Sequence, residues 1–391
     1  MVEARWLQWF GPGLLAVGTL ALVGSATVGA DTRTTLSGPL TQLPCADPPA
    51  GRIAMHGGGA VASLADGSPA PWFRLDPVID RDGALAGQRL ALGLDGIPGA
   101  RTLDLPAESF AAGPFGRTIL VGADDGITST LRLYDVAAGC GWSIAAEPSV
   151  IRRATVDSDG TAVYEMRVDR TTRADLGVWI RPVDGGLPAR RILAAPAPDG
   201  RFGRTWSTEL RWDLDGARLA VQSCGDVACR TRIIDPAGGA ALMLDAPDLG
   251  NVIGLDGDRL VTYAACRGRP CPIVSTDLST GARVVLADAG GPAVVADTAD
   301  GARLVDEVPA VTGRRLRAIP IGGGPTLDLG PIPEGLGLES DPDVAGSATE
   351  LPVGWILLAP DGRMPADGSF GTTRLRHIPD GMTVPLAEAA R

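Results

Sequence analysis

The chain contains no lysine: all 35 basic residues are arginine, set against 46 acidic ones, for a net charge of −11. A surface of that sign repels phosphate backbones, and no basic run with interleaved aromatics offsets it, so nucleic acid is not an expected partner. Together with the abundance of Ala, Gly and Pro, the all-arginine choice reads as compositional bias, so an arginine-rich stretch carries less meaning here than usual. Histidine is almost as scarce. Only His56 and His377 occur, which leaves little room for a His-based triad or a His-built metal centre. His56-Gly57-Gly58-Gly59 has the look of an esterase oxyanion loop, but no Gly-x-Ser-x-Gly elbow accompanies it. It reads better as a glycine-rich hairpin turn. The alternating strand and helix pattern of a hydrolase is also missing, although carboxylate chemistry remains open.

Hydrophobic residues make up 45% of the 391 positions, enough for a large core in one or two domains. Gly (53) and Pro (32) are frequent, and both punctuate turns, so many short elements are expected in place of a few long ones. Residues 6–30 carry no charge and follow Arg5. Val28 and Ala30 are small enough for a signal-peptidase site, with Asp31 as the mature start. The uncharged stretch is 25 residues long, also sufficient for an uncleaved membrane anchor. No cysteine follows it to carry a lipid. The organisation expected is therefore a signal peptide or signal anchor over 1–30, a linker or closing strand over 31–44, and one β domain over 45–391. Any membrane contact runs through the first segment alone.

The cysteines agree with export. There are six, and four form two local pairs, Cys224 with Cys229 and Cys266 with Cys271, each between two strand-like runs. Facing residues at the mouth of a short hairpin lie within disulfide range. A zinc site built from all four thiolates is the alternative, but equivalent positions in successive repeats hold the two tips side by side without converging. Cys45 and Cys140 remain, and their pairing would tie the N-terminal segment to an early repeat unit.

A unit of about 44 residues recurs: strand, Asp-Gly-type turn, strand, loop, strand ending in Asp, Gly-bearing turn, strand. Its turn glycines are Gly116, Gly160, Gly216, Gly257, Gly301 and Gly346, spaced 44, 56, 41, 44 and 45 residues apart. Each unit predicts a four-stranded antiparallel meander. Trp212-Asp213-Leu214-Asp215-Gly216-Ala217-Arg218-Leu219-Ala220 resembles the TolB-like propeller repeat, an aromatic and a short polar stretch ending in Asp-Gly before a hydrophobic strand. The resemblance covers residues 108–391, which hold six units. Residues 45–107 add one irregular blade or two short ones, so the fold expected is an all-β β-propeller of seven blades, six or eight being the alternatives. An open β-sandwich pair is the rival architecture.

In a propeller the innermost strands line the axis, and ligands tend to bind at one mouth. The residues ahead of each Asp-Gly turn belong to that strand, and those with binding chemistry are Arg152, Arg153, Glu209, Arg211, Asn251, Glu339 and Asp341. Solvated or mutually paired charges would produce the same pattern. Asp157/Asp159 and Asp213/Asp215 suggest calcium, yet no full loop of oxygen ligands is visible, and turn chemistry accounts for them. No metal or cofactor is expected. Trp206, Trp212 and Trp355 read as packing residues. The resemblance to TolB-like repeats implies a protein partner. The function expected is an exported, non-enzymatic binding scaffold in the cell envelope or outside the cell. A carboxylate- or calcium-dependent hydrolase of lactonase or glycosidase type and a membrane-anchored sensor ectodomain are the alternatives.

Overall fold

The computed structural model describes Cys45 and residues 71–385, apart from 95, 96, 98, 158, 196–204, 206, 226–228, 236–240, 245–248, 265–270, 341–352 and 361–373. All of these lie within one unit, residues 34–391. The leader, the closing strand expected just after Asp31, the His56 turn, Trp206, Cys266, Asp341 and Gly346 fall outside the described residues. Among the described residues no helix is long and apolar enough to cross a membrane.

Blade 1 consists of β1 (Pro71–Ile79), β2 (Leu85–Leu94) and β3 (Arg101–Leu105). Blade 2 consists of β4 (Glu108–Phe115), β5 (Thr118–Asp124), β6 (Ser129–Asp135) and β7 (Cys140–Glu147). Blade 3 holds β8 (Val150–Val156), β9 (Ala162–Val168), β10 (Asp175–Pro182) and β11 (Arg190–Ala194). Blade 4 holds β12 (Ser207–Trp212), β13 (Leu219–Cys224), β14 (Cys229–Ile234) and β15 (Ala241–Leu244). Blade 5 is β16 (Leu249–Asp256), β17 (Arg259–Ala264), β18 (Cys271–Asp277) and β19 (Arg283–Gly290). Blade 6 is β20 (Ala293–Ala296), β21 (Arg303–Ala310), β22 (Gly313–Pro320) and β23 (Leu327–Pro331). Blade 7 is β24 (Leu336–Leu338), β25 (Trp355–Pro360), β26 (Arg374–His377) and β27 (Thr383–Pro385).

Every sheet is a simple antiparallel meander, and the seven together make a seven-bladed β-propeller. Residues 108–385 supply six four-stranded blades, as the repeat spacing predicts, and residues 71–105 supply one blade with three described strands. The turns between first and second strands carry Gly116, Gly160, Gly216, Gly257 and Gly301, with φ of 56°, 68°, 73°, 50° and 100°. In blade 7 a left-handed glycine, Gly354 at φ 86°, directly precedes β25.

The apolar clusters lie between blades. Leu90 and Leu92 meet Ile119 and Val121; Phe110 and Leu120 meet Ile151 and Val163; Tyr164 and Met166 meet Leu210 and Trp212. Alternation along each strand therefore supplies one face to each neighbouring blade. First strands of successive blades lie against one another from β4 through β8, β12 and β16 to β20, which places them innermost. Trp212 is interblade packing, as expected: its ring meets Tyr164 edge-on at 5.0 Å, and its Nε1 donates to the Val156 carbonyl at 2.9 Å. Trp355 lies against the His377 ring at 4.8 Å.

Blades 2 and 3 are also joined by a buried ionic clamp. Glu165 on β9 is fully covered and accepts from Arg167, at 2.6 Å from Nη2, and from Arg181. Both guanidiniums reach across to Glu147 at the end of β7. Removing one partner of such a group leaves an uncompensated buried charge, at a cost of about 3–5 kcal/mol. Glu165→Gln is expected to lower stability by that order in chemical denaturation. Arg89→Gln, which breaks the exposed pair with Asp104, is expected to leave the unfolding midpoint unchanged.

Candidate functional site

The inner strands have two chemically different ends. At their C-terminal ends β8, β12, β16 and β20 lead into or finish on aspartates: Asp157, Asp213, Asp256 and Asp297. The first two of these carboxylates are occupied locally. Asp157 accepts from the Thr161 amide at 2.7 Å and hydroxyl at 2.9 Å, and Asp213 from the Arg218 amide at 3.0 Å. Asp215 accepts from the Ala217 amide at 2.9 Å. The Asp-x-Asp-Gly pairs thus act in their own turns. Among the described residues no group of three or more His, Cys, Asp or Glu is placed to hold a metal.

Asp213 is nonetheless chemically distinctive. Its complete burial, with the adjacent Asp215 carboxyl, pushes its pKa up to about 6, while Asp215 is held below the ordinary range by its hydrogen bonds to Asp213 and Ala217. Asp256 is raised as well, by burial and then by Asp297 and Asp215. Because the folded Asp213 binds its proton more tightly than the unfolded chain does, its contribution favours the fold at low pH. That contribution is lost as pH rises through the window from about 4 to about 6. Asp213→Asn keeps a neutral hydrogen-bonding side chain. The melting temperature of the variant minus that of the wild type is therefore expected to increase across that window, measured by thermal scans from pH 3.5 to 7.

The other end carries arginines. Arg152 sits on β8 at a bulge: the register with β9 shifts between Ile151 and Arg153. Asn251 occupies the matching irregularity on β16, where pairing with β17 skips from Leu249 to Val252, and it is exposed. Such an extra residue leaves the ladder and re-aims its side chain. Arg152 points toward Glu108, the first residue of β4, with Nη1 to Oε2 at 3.6 Å, and Arg153 stands 5.7 Å over the Phe110 ring centroid. Arg173, from the β9–β10 turn, donates from Nη2 to the other oxygen of Glu108 at 2.5 Å. Beside them Arg170 grips Asp124 with both terminal nitrogens, at 2.7 and 2.8 Å. Burial pushes the Asp124 carboxyl up, but Arg170, Ser129 and the Gly126 amide more than reverse it, so it lies below the ordinary range.

Of the residues expected at a mouth, the structure brings Arg152 and Arg153 together. Glu209 and Arg211 lie on the regular strand β12, buried, and both are engaged by neighbours. Their burial comes from alternation: they share a face with Gln222 and Ala220. Glu339 follows β24 half-buried, its amide donating to the Leu357 carbonyl at 3.1 Å. Glu108, Arg170 and Arg173 were not singled out from sequence. One signal was present: Asp169 to Arg173 repeats the turn of Asp135 to Gly139 and Asp277 to Gly281, with arginine at the glycine position.

The disulfides follow expectation. Cys45 is bonded to Cys140, with Cα atoms 5.0 Å apart, and the Cys45 amide donates to the Gly141 carbonyl at 3.2 Å. Cys224 is bonded to Cys229, facing residues at the β13–β14 hairpin mouth. Cys271 is also disulfide-bonded.

In fold, the chain is a β-propeller, and solved propeller structures are similar to it at low sequence identity. TolB from Acinetobacter baumannii is similar at 12% identity and a TM-score of 0.41, over 64% of this chain and 61% of that one. The β-propeller domain of the trilobed protease from Pyrococcus furiosus is similar at 10% identity and 0.49, over 81% and 94%. A puromycin-hydrolyzing peptidase of Mycobacterium tuberculosis is similar at 14% and 0.49, over 88% of this chain and 56% of that chain. The chain thus spans under two thirds of the TolB chain and little more than half of that peptidase. No protein-family model and no curated protein matches the sequence.

Proposed function

We propose that the chain is an exported, non-enzymatic binding scaffold, acting outside the cytoplasm through contacts with a protein partner. The observation that carries this reading is the disulfide that closes the β13–β14 hairpin on the same axial end as the β9–β10 turn bearing Arg173. Hairpins between second and third strands all emerge at that end. A covalently closed tip has less freedom to lose when a partner docks, which favours recognition over a flexible loop. Cross-links of this kind persist in oxidising compartments, which supports export by residues 1–30. A small loop gains only about 2 kcal/mol from its bridge, so the fold does not depend on it. The raised Asp213 favours the carboxylate-enzyme alternative, but its carboxyl is engaged in its own turn and fully covered.

The full chain, expressed with its own leader and recovered from the extracytoplasmic fraction, is expected to begin at Asp31 by N-terminal sequencing and to retain a reproducible protein partner from native envelope extract. Cys224→Ser/Cys229→Ser is expected to keep the propeller, by circular dichroism, and to weaken capture. Failure to retain any protein under mild and crosslinked conditions would exclude the scaffold reading. A mature protein that begins at Met1 in the membrane fraction would favour the anchored sensor.

A further inference from the structure

We infer that Arg152, Arg153 and Arg173, around Glu108 at the axial end between blades 2 and 3, form a site for the side-chain carboxylates of a short acidic peptide segment. This deepens the scaffold reading and rests on it.

The first support is conformational. Four turns share one backbone bond, in which the amide of the fifth residue donates to the carbonyl of the first: Gly139 to Asp135, Arg173 to Asp169, Gly281 to Asp277 and Gly381 to His377. Three place glycine at the left-handed position, with φ of 70°, 73° and 69°, whereas the fourth places Arg173 there at 62°, the one positive φ outside glycine among the described residues. Left-handed backbone disfavours a residue with a Cβ, and an arginine lacks the short side chain by which Asn or Asp offsets the cost. The turn has all it needs without Arg173, since Asp169 accepts from the Thr171 and Thr172 amides at 3.0 and 2.7 Å. What the residue adds is its guanidinium. Strain retained where the local fold does not require it points to use.

The second support is electrostatic. Two guanidiniums, Arg152 and Arg173, converge on one carboxylate, and Glu108 is 43% exposed while they are 18% and 21% exposed. Nε of Arg152 is buried without a hydrogen-bond acceptor. Burial and then the nearby Arg173 hold the Arg152 pKa below its ordinary value, and two guanidiniums against one carboxylate leave an excess of positive charge at this point. Glu108 shows what chemistry fits, a carboxylate received by a fork of donors. The net charge of −11 repels extended polyanions at long range, so a local positive pit in an acidic molecule selects a few carboxylates and not a nucleic acid or an anionic bilayer.

The test uses the full-length mature protein and a fluorescein-labelled hexaglutamate peptide, read by anisotropy at several salt concentrations, with hexaglutamine and hexalysine peptides as controls. Hexaglutamate is expected to bind with affinity that falls as salt rises, and the controls are not. Arg173→Gly is expected to weaken binding at least tenfold while the melting temperature stays level or rises. Arg173→Gln, which keeps the strained turn, is expected to weaken it equally, and Glu108→Gln to tighten it. The inference is overturned if hexaglutamate does not bind, if hexaglutamine binds as well, if both Arg173 variants bind as wild type does, or if Arg173→Gly unfolds the protein while Arg173→Gln binds normally. Preferential binding to anionic vesicles would overturn it too. The two readings fail separately. A captured partner still held by Arg173→Gly sinks this inference alone. Hexaglutamate binding that depends on Arg173, with no partner captured, sinks the scaffold reading as stated.

Discussion

Each blade of this protein places an edge strand on the axis, and the backbone groups on that strand's free side must find partners away from its own sheet. The preceding blade supplies them. Gln88 donates to the Ser109 carbonyl at 3.0 Å, Ser129 accepts from the Ile151 amide at 3.1 Å, Gln222 accepts from the Val252 amide at 3.2 Å, and Glu307 accepts from the Leu338 amide at 3.2 Å. Four buried or half-buried polar residues thus do one job at four of the seams, between blades 1 and 2, 2 and 3, 4 and 5, and 6 and 7: each satisfies a donor or acceptor that burial would otherwise leave unpaired. Apolar packing draws blades together but is non-directional. These bonds fix how far one blade slides along the next. Without them the inner strands would be unprotected edges.

The same constraint explains where the binding chemistry sits. An inner strand that must offer its amide to a neighbour and still pair with its own sheet meets both demands by a local irregularity in blades 3 and 5. β8 is irregular beside Ile151, and β16 beside Val252, two of the three positions whose amides are captured, while β24 keeps its register at Leu338. The residues thrown out of register there are Arg152 and Asn251. The axial arginine cluster is in that sense a by-product of seam geometry. It faces the end opposite the aspartates that close the first turns.

Much of the fold is legible in the sequence, and little of the site. Asp-Gly turns at a spacing near 44 mark the blades because the turn needs positive φ wherever it falls, so glycine reports it directly. The cysteine pairs are legible for a similar reason, since facing positions at a hairpin mouth are set by loop length alone. Glu209 and Arg211 could not be told from Arg152 and Arg153 by pattern, because all four stand on inner strands ahead of a turn. Only the bulge separates them, and it depends on a neighbour's side chain some 22 residues away in the chain.

The bond between Cys45 and Cys140 spans 95 residues, and all of blade 1 lies inside the covalent loop that it closes. A pull on the chain ahead of Cys45 is therefore delivered to β7, the outer strand of blade 2, and bypasses β1 to β3. The first blade, with three described strands, carries none of that load while the bridge holds. For a protein tethered or tugged from its N-terminal side, this routes force around the blade with three described strands and into one backed by the Glu147–Arg181 clamp. Reduction of that single bridge would turn the first blade from a bystander into the first element to bear tension.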